Sequence, residues 1–333
     1  MTPPVAAFAF LVSLLAMLGA AQLFAGRLDR LGLGLGLPEA LLGLLTALAA
    51  DSPEVASAVS ALVRGERGVA VGIVVGSNAF NIAAMLGVSA IVAAGIRARP
   101  ESVALEAFVG VWVTATVCAL LAGAFDAGVG LVLIALVVVP YVALLVVGPR
   151  GLRRRHIPVL GGFLRHSFGE AHMAPRRPPS REEALLRPLL LLLADLLVIV
   201  AASSLMVASS VDLADAWGIP RDLLGVLVLA VLTSLPNAAT GVRFGLHGRG
   251  SALVSETLNS NSINLTIGIA VPAAVASLGA LGNLGVFDVA WLVVMTAVVL
   301  ALFARRGGVT RAGGILLVLL YCVFAIVQAL SLA

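Results

Sequence analysis

The chain has 333 residues, of which 61% are hydrophobic and 11% charged, with a mean hydropathy of +1.12. That balance excludes a soluble globular domain and calls for lipid as the solvent. All 21 basic residues are arginine, set against 17 acids for a formal net charge of +4, which says little about nucleic acid; the two cysteines, Cys118 and Cys322, lie in apolar runs and offer neither a disulfide framework nor a metal cluster.

Apolar runs close to the roughly 20 residues that cross a bilayer start near residues 5, 39, 69, 103, 128, 188, 222, 252, 286 and 312. Strand alternation is absent, and backbone groups in lipid must be satisfied within a helix or a closed barrel, so helices are expected. The amino terminus has no basic residue before its apolar run and no clear cleavage site, which reads as a first spanning helix, Val5–Ala25, and not a removed leader. A glycine-rich loop, GRLDRLGLGLGLP, then leads to Pro38, a residue that costs little in a first helical turn.

Helix two, LLGLLTALAADSPEVASAVSALV, carries Pro53 in mid-span. Proline removes a backbone hydrogen bond and clashes with the preceding turn, so a break is expected there. Freed carbonyls are tolerated in lipid only where they face a cavity or an ion. Asp51, Ser52 and Glu54 cluster at the break. A carboxylate at mid-bilayer costs about 2.5 to 3.5 kcal/mol, which favours a functional setting for two of them. Helix three carries Ser77, Asn78 and Asn81, with Gly76 allowing a neighbouring helix to come close.

Helices four and five, Val103–Ala122 and Gly128–Val147, read as scaffold, with Glu106 as a carboxylate favoured by a helix amino terminus. The proline- and arginine-rich segment from Pro149 to Pro188 reads as a linker between halves, and His156, His166, His172 and His247 all fall in loops on its side of the membrane. Helix six, Leu189–Val207, holds Asp195, expected to snorkel, to pair with Arg187 or to line a cytoplasmic access path. Helix seven repeats the break at Thr233, Ser234, Pro236 and Asn237. Helix eight carries Glu256, Ser260, Asn261 and Asn264, of which Glu256, Ser260 and Asn264 recur every four residues and share a face. Helices nine and ten, Val286–Ala304 and Gly313–Leu332, read as scaffold.

Pro53 and Pro236, Glu54 and Asn237, Ser77 and Ser260, Asn78 and Asn261, and Asn81 and Asn264 all stand 183 residues apart, which marks an internal duplication. Upstream the register slips: Gly43 to Pro53 is ten steps, Gly225 to Pro236 eleven. The expected fold is an all-α membrane protein of ten transmembrane helices. Residues 1–148 and 188–333 form two inverted five-helix repeats with broken helices at the midplane, joined by a cytoplasmic basic linker, 149–187. An odd helix count per copy forces the inversion, a recurring plan of secondary transporters. Arginines crowd one side of this arrangement, leaving Arg64, Arg67 and Arg221 on the other, so the positive-inside rule places the linker in the cytoplasm and both termini outside, in a prokaryotic inner or plasma membrane.

Carboxylates, amides, hydroxyls and freed carbonyls, without thiol or imidazole, suit hard cations such as Ca2+, Na+ or Mg2+. No pairing of nucleophile with base points to an enzyme. Expected partners are inorganic cations and the lipid bilayer, with no nucleic acid, no obligate protein partner and no cofactor besides the transported Ca2+, Na+ or H+. DSPEVASAV with GSNAFN, and LTSLPNAATGV with LNSNSIN, resemble the paired repeats of the sodium/calcium exchanger (cation/calcium antiporter) superfamily. The resemblance implies that Glu54, Ser77, Asn81, Thr233, Ser234, Ser260 and Asn264 surround bound cations, exchanged by alternating access. Against the family's usual G-T-S-L-P-E, the first copy reads ADSPE and the second LTSLPN, so the second acid has become Asn237. Asp51, which counts into the threonine position from Gly43, and Glu256 are the candidates to restore that charge. Three readings stand: exchange of Ca2+ or a similar hard cation against Na+, a cation/proton antiporter using Asp51, Glu54 or Glu256, and a non-transporting membrane scaffold or intramembrane enzyme, for which a metal-ligand set is also lacking.

Overall fold

Long apolar stretches broken only by proline, glycine and a few polar residues leave the backbone one way to satisfy itself, and the chain is helical almost throughout. The computed structural model describes residues 1–35, 37, 39–98, 100–154, 183–275 and 283–331. In order these form α1 (Pro3–Gly34), α2 (Glu39–Ala50), α3 (Ser52–Val63) and α4 (Arg67–Asn81), which runs through a π-helical segment (Ile82–Val88) into α5 (Ser89–Val92). Next come β1 (Ile96–Arg97), α6 (Pro100–Leu121), α7 (Ala127–Arg154) and α8 (Glu183–Trp217). The following span is α9 (Arg221–Leu223), a second π-helical segment (Leu224–Leu229) and α10 (Ala230–Thr233), then α11 (Leu235–Leu246). α12 (Gly250–Leu265) continues through a third π-helical segment (Thr266–Ala270) into α13 (Val271–Val275), followed by α14 (Asn283–Arg306), β2 (Gly308–Val309) and α15 (Arg311–Ser331). The two short strands pair antiparallel, Ile96 opposite Val309, so a minimal ladder exists where only helices were expected.

Among the described residues seven helices are long and apolar enough to cross a membrane, and an eighth span arises if 221–233 and 235–246, bent by 47° at their break, are taken together. The span Arg67–Val92 is buried over 94% of its apolar stretch, against 22% for Ala127–Val146. Helix three is therefore the axis of the protein, and helix five its lipid-facing margin.

Two close approaches hold that axis. A Cβ on Gly76 would stand 2.2 Å from the Val226 carbonyl oxygen, and one on Gly225 would stand 2.6 Å from that of Val69. Helices three and seven thus cross backbone to backbone, as small residues permit inside a membrane.

Several ends differ from expectation. α1 swallows the glycine-rich loop as far as Gly34, and α8 runs well beyond both ends of Leu189–Val207. The two pack lengthwise, and Arg27, within the stretch expected as loop, bonds Asp195 at 2.6 Å. Arg27, and not Arg187, is the partner of Asp195. The expected linker is helical at both ends, to Arg154 and from Glu183, while its middle, with His156, His166 and His172, lies outside the described residues.

The one-residue slip between copies has a structural counterpart. A π-helical turn holds one residue more than the α-helix it interrupts. The longer second copy has such a turn at Leu224–Leu229, whereas α2 is α-helical throughout.

Candidate functional site

Both proline breaks adopt the same backbone. Asp51 caps α3 at φ −81°, ψ −4°, and Ser234 caps α11 at φ −88°, ψ 0°, each with proline two residues on. Asp51 is thus the mate of Ser234, not of Thr233, because the missing residue is taken out further upstream. Ser52 then matches Leu235, which is why it stands aside: it is half-buried, and its hydroxyl donates to the Ala49 carbonyl at 2.7 Å. That carbonyl is the one Pro53 would leave without a donor, so it faces no cavity. Thr233 likewise turns its hydroxyl back to the Leu229 carbonyl at 2.9 Å, and Ser77 to that of Val74 at 3.1 Å.

The remaining polar groups converge. Asn237 donates from one amide nitrogen to Asp51 Oδ1 at 2.8 Å and to Glu54 Oε1 at 3.0 Å. Ser260 donates to the same Asp51 oxygen at 2.6 Å and accepts from the Asn81 amide at 3.1 Å. Asn78 donates to the Asn261 carbonyl at 3.1 Å, and Asn264 donates to Asn78 Oδ1 at 3.2 Å. Asp51, Glu54, Ser77, Asn78, Asn81, Thr233, Ser234 and Asn264 are wholly buried, and Asn237, Ser260 and Asn261 nearly so. Glu256 is half-buried, in electrostatic reach of Asp51 and Arg249 but without a hydrogen bond into the cluster.

Amide hydrogens are thus spent on holding the side chains to one another, and what is left over is oxygen. Asp51 Oδ2, Glu54 Oε2, Glu256 Oε2, the Ser234 hydroxyl and the amide oxygens of Asn81, Asn237, Asn261 and Asn264 are buried without a partner. Carboxylate and amide oxygens only accept, and buried acceptors without donors are rare. A desolvated hard cation is the ligand that such a set fits. Among the described residues no group of three or more His, Cys, Asp or Glu side chains forms a resident metal site.

Two pairs of repeat mates touch directly across this cluster: Glu54 with Asn237, and Asn78 with Asn261. Two further acids are buried outside this cluster, and reading along the chain passed over one of them, Asp288. Glu106 is not at a helix end but 3% exposed, accepting a hydrogen bond from Ser255, and helix nine, read as scaffold, buries Asp288 against Gln328. The signal available for both was a single acid in an otherwise apolar span.

Known proteins resemble the chain in three ways. The family model described as sodium/calcium exchanger protein matches residues 5–147 and 187–330. Sodium/potassium/calcium exchanger 1 of Homo sapiens is 34% identical over 74 residues, which is 22% of this chain and 7% of the human protein; that of Gallus gallus is 34% identical over 68 residues, 20% of this chain and 10% of its own. The match therefore spans a small part of these longer relatives. The sodium-calcium exchanger NCX_Mj soaked with 10 mM Na+ and zero Ca2+ superposes with a TM-score of 0.64 at 20% identity, over 97% of this chain and 98% of that one. The same exchanger soaked with 2.5 mM Na+ and 1 mM Sr2+ gives 0.63 at 20% identity, over 96% of each; these likenesses are of fold. With the family model covering both halves, the chain belongs to the sodium/calcium exchanger protein family.

Proposed function

We propose that the protein carries Ca2+, or a hard cation of like size, against Na+ by alternating access, with the cargo held by Asp51 and Glu54. The observation that carries this reading is the Asn237 amide shared by both carboxylates. A doubly charged ion in a dry site needs about two compensating charges, since an uncompensated one costs many kcal/mol. Asn237 supplies none, but it draws Asp51 and Glu54 to one point, each with its second oxygen free. Ca2+ takes roughly six to eight oxygens. The amide oxygens of Asn81, Asn237 and Asn264, with the hydroxyls of Ser77, Ser234 and Ser260, complete such a shell around the two carboxylates. Glu256 lies at its margin, Thr233 and Asn261 back the helices that present it, and Asn78 ties the two halves.

The proposed frame is ten spans in two inverted halves, with the helix-two and helix-seven breaks meeting at mid-membrane. Contact between mates supports it, because equivalent residues touch across a two-fold axis and not along a tandem array. The arginine bias supports a cytoplasmic 149–187 linker with both termini outside.

Vesicles loaded with Na+ and bearing the purified protein are expected to take up 45Ca2+ when diluted into Na+-free buffer, and Glu54→Gln and Asp51→Asn are each expected to abolish that uptake. Uptake driven by a pH gradient with Na+ absent would replace this reading with cation/proton exchange.

A further inference from the structure

Two buried carboxyls remain outside the cation cluster. Glu106 in α6 is 3% exposed and Asp288 in α14 is 6% exposed. They stand 182 residues apart, as do Thr114 and Thr296 in the same two helices, so they occupy equivalent places in the two copies. Each meets a neutral donor from another helix: Ser255 in α12 donates to Glu106 Oε1, and Gln328 in α15 donates to Asp288 Oδ1.

Glu106 ends a row of donors that all point one way. The Tyr141 hydroxyl in α7 donates to Asn259 Oδ1 at 3.0 Å, the Asn259 amide reaches the Ser255 hydroxyl at 3.5 Å, and Ser255 donates to Glu106. The other carboxyl oxygen, Glu106 Oε2, is buried without a partner. Among the described residues the ion pairs engage Asp195, Asp212, Asp215 and Glu66, and neither of these two acids. The ionisable neighbours are themselves acidic: Tyr141 beside Glu106, and Asp222 beside Asp288. Glu256, next to Ser255 in α12, is in reach of Asp51 instead.

We propose that Glu106 and Asp288 are a repeat-related pair of proton-binding sites, one in each half, separate from the pocket that holds the cation. A metal ion needs several free oxygens at once, and the surroundings do not supply them. The Ser255 hydroxyl and the Asn259 amide oxygen already accept from their neighbours, while at Asp288 the Gln328 amide nitrogen and the unpartnered indole N–H of Trp291, one turn on, are donors. A proton needs one oxygen and removes the charge that burial penalises. The step is the uptake of one proton from water onto a carboxylate oxygen, with no other bond made or broken. Ionisation of Glu106 calls on Ser255 and, behind it, Asn259 as donors, and neither bonds into the cation cluster.

Infrared difference spectra of the full-length protein in lipid, recorded as pH is raised, test this without any transport measurement, whether or not Asp51 and Glu54 hold the cargo. The expected result is a titrating protonated-carboxyl band with two components, one lost in Glu106→Gln and the other in Asp288→Asn, both insensitive to Na+ and Ca2+ at fixed pH. Tyr141→Phe, which keeps the acid, is expected to move the midpoint of the Glu106 component and leave that of Asp288 in place. The proposal is overturned if neither variant removes a component, or if Na+ or Ca2+ displaces either component at constant pH, which would make that position a metal site.

Discussion

Replacing Asp51 by asparagine separates charge from shape at the proposed site. Asparagine keeps the outline and one oxygen, so the bonds from Asn237 and Ser260, now 2.8 Å and 2.6 Å, can persist. What disappears is one negative charge, and an NH2 group replaces the unpartnered Oδ2. At about 4 Å and an effective dielectric of about 20, a unit charge pair is worth about 4 kcal/mol. A doubly charged cargo therefore loses about 8 kcal/mol of attraction. Asp51 is already buried without the ion, so its burial cost is common to the free and bound states and drops out of Kd. At about 1.4 kcal/mol per decade the loss is about five to six decades in Kd. A singly charged ion loses about 4 kcal/mol, near three decades. Calorimetric titration of wild type and Asp51→Asn with Ca2+ and with Na+ reads both numbers. Ca2+ affinity is expected to fall by about the square of the factor by which Na+ affinity falls. If both affinities fall by one common factor, Asp51 acts through structure and not through charge, and the reasoning fails.

Gly76→Ala is expected to lower thermal stability by about 1 to 3 kcal/mol, because its Cβ would stand 2.2 Å from the Val226 carbonyl oxygen; a melt followed by size-exclusion chromatography in detergent checks it. Arg27→Ala strands Asp195 in the α1/α8 contact, side chains that are 25% and 8% exposed, and is expected to cost about 3 to 5 kcal/mol, most of which Arg27→Ala combined with Asp195→Ala recovers. Asp51→Ser with Asn237→Glu moves the second carboxylate across the cluster; Na+-driven 45Ca2+ uptake is expected to be lost in Asp51→Ser and regained in the double variant.

The pattern of breaks was legible in the chain because membrane solvent makes polar residues conspicuous. Pro53, Pro236 and the serines and asparagines of helices three and eight stand out against apolar neighbours, and eleven of the thirteen residues singled out by that contrast are buried. Ser52 and Glu256 are the two that stand partly aside, and for Ser52 the reason is register. Helix ends were poorly legible. Gly34 and Trp217 end helices that continue past the apolar stretch, because α1 and α8 shield each other and Arg27 finds Asp195 on a helix 168 residues away. Tyr141, Asn259 and Gln328 were missed for a related reason: each pairs with a group that only the fold brings near.

The slip of one residue between copies joins the backbone to the chemistry. In the second copy the extra residue is absorbed at Leu224–Leu229, where Gly225 presses on Val69, and the polar run beyond it reads threonine, serine, leucine, proline, asparagine. In the first copy helix two stays regular, and the residue that reaches the break in the place of Ser234 is Asp51. A hydroxyl in the second copy thus stands where the first has a carboxylate, and Asn237 stands where Glu54 has its mate. These two departures compensate one another. The acid absent at 237 returns at 51, and the amide left at 237 donates to both acids of the first half. Both carboxylates that Asn237 holds consequently belong to the first half, while the second half contributes donors and neutral oxygens, with the Glu256 carboxylate at the margin. The two acids that share the Asn237 amide therefore stand at a single break, the one between α2 and α3.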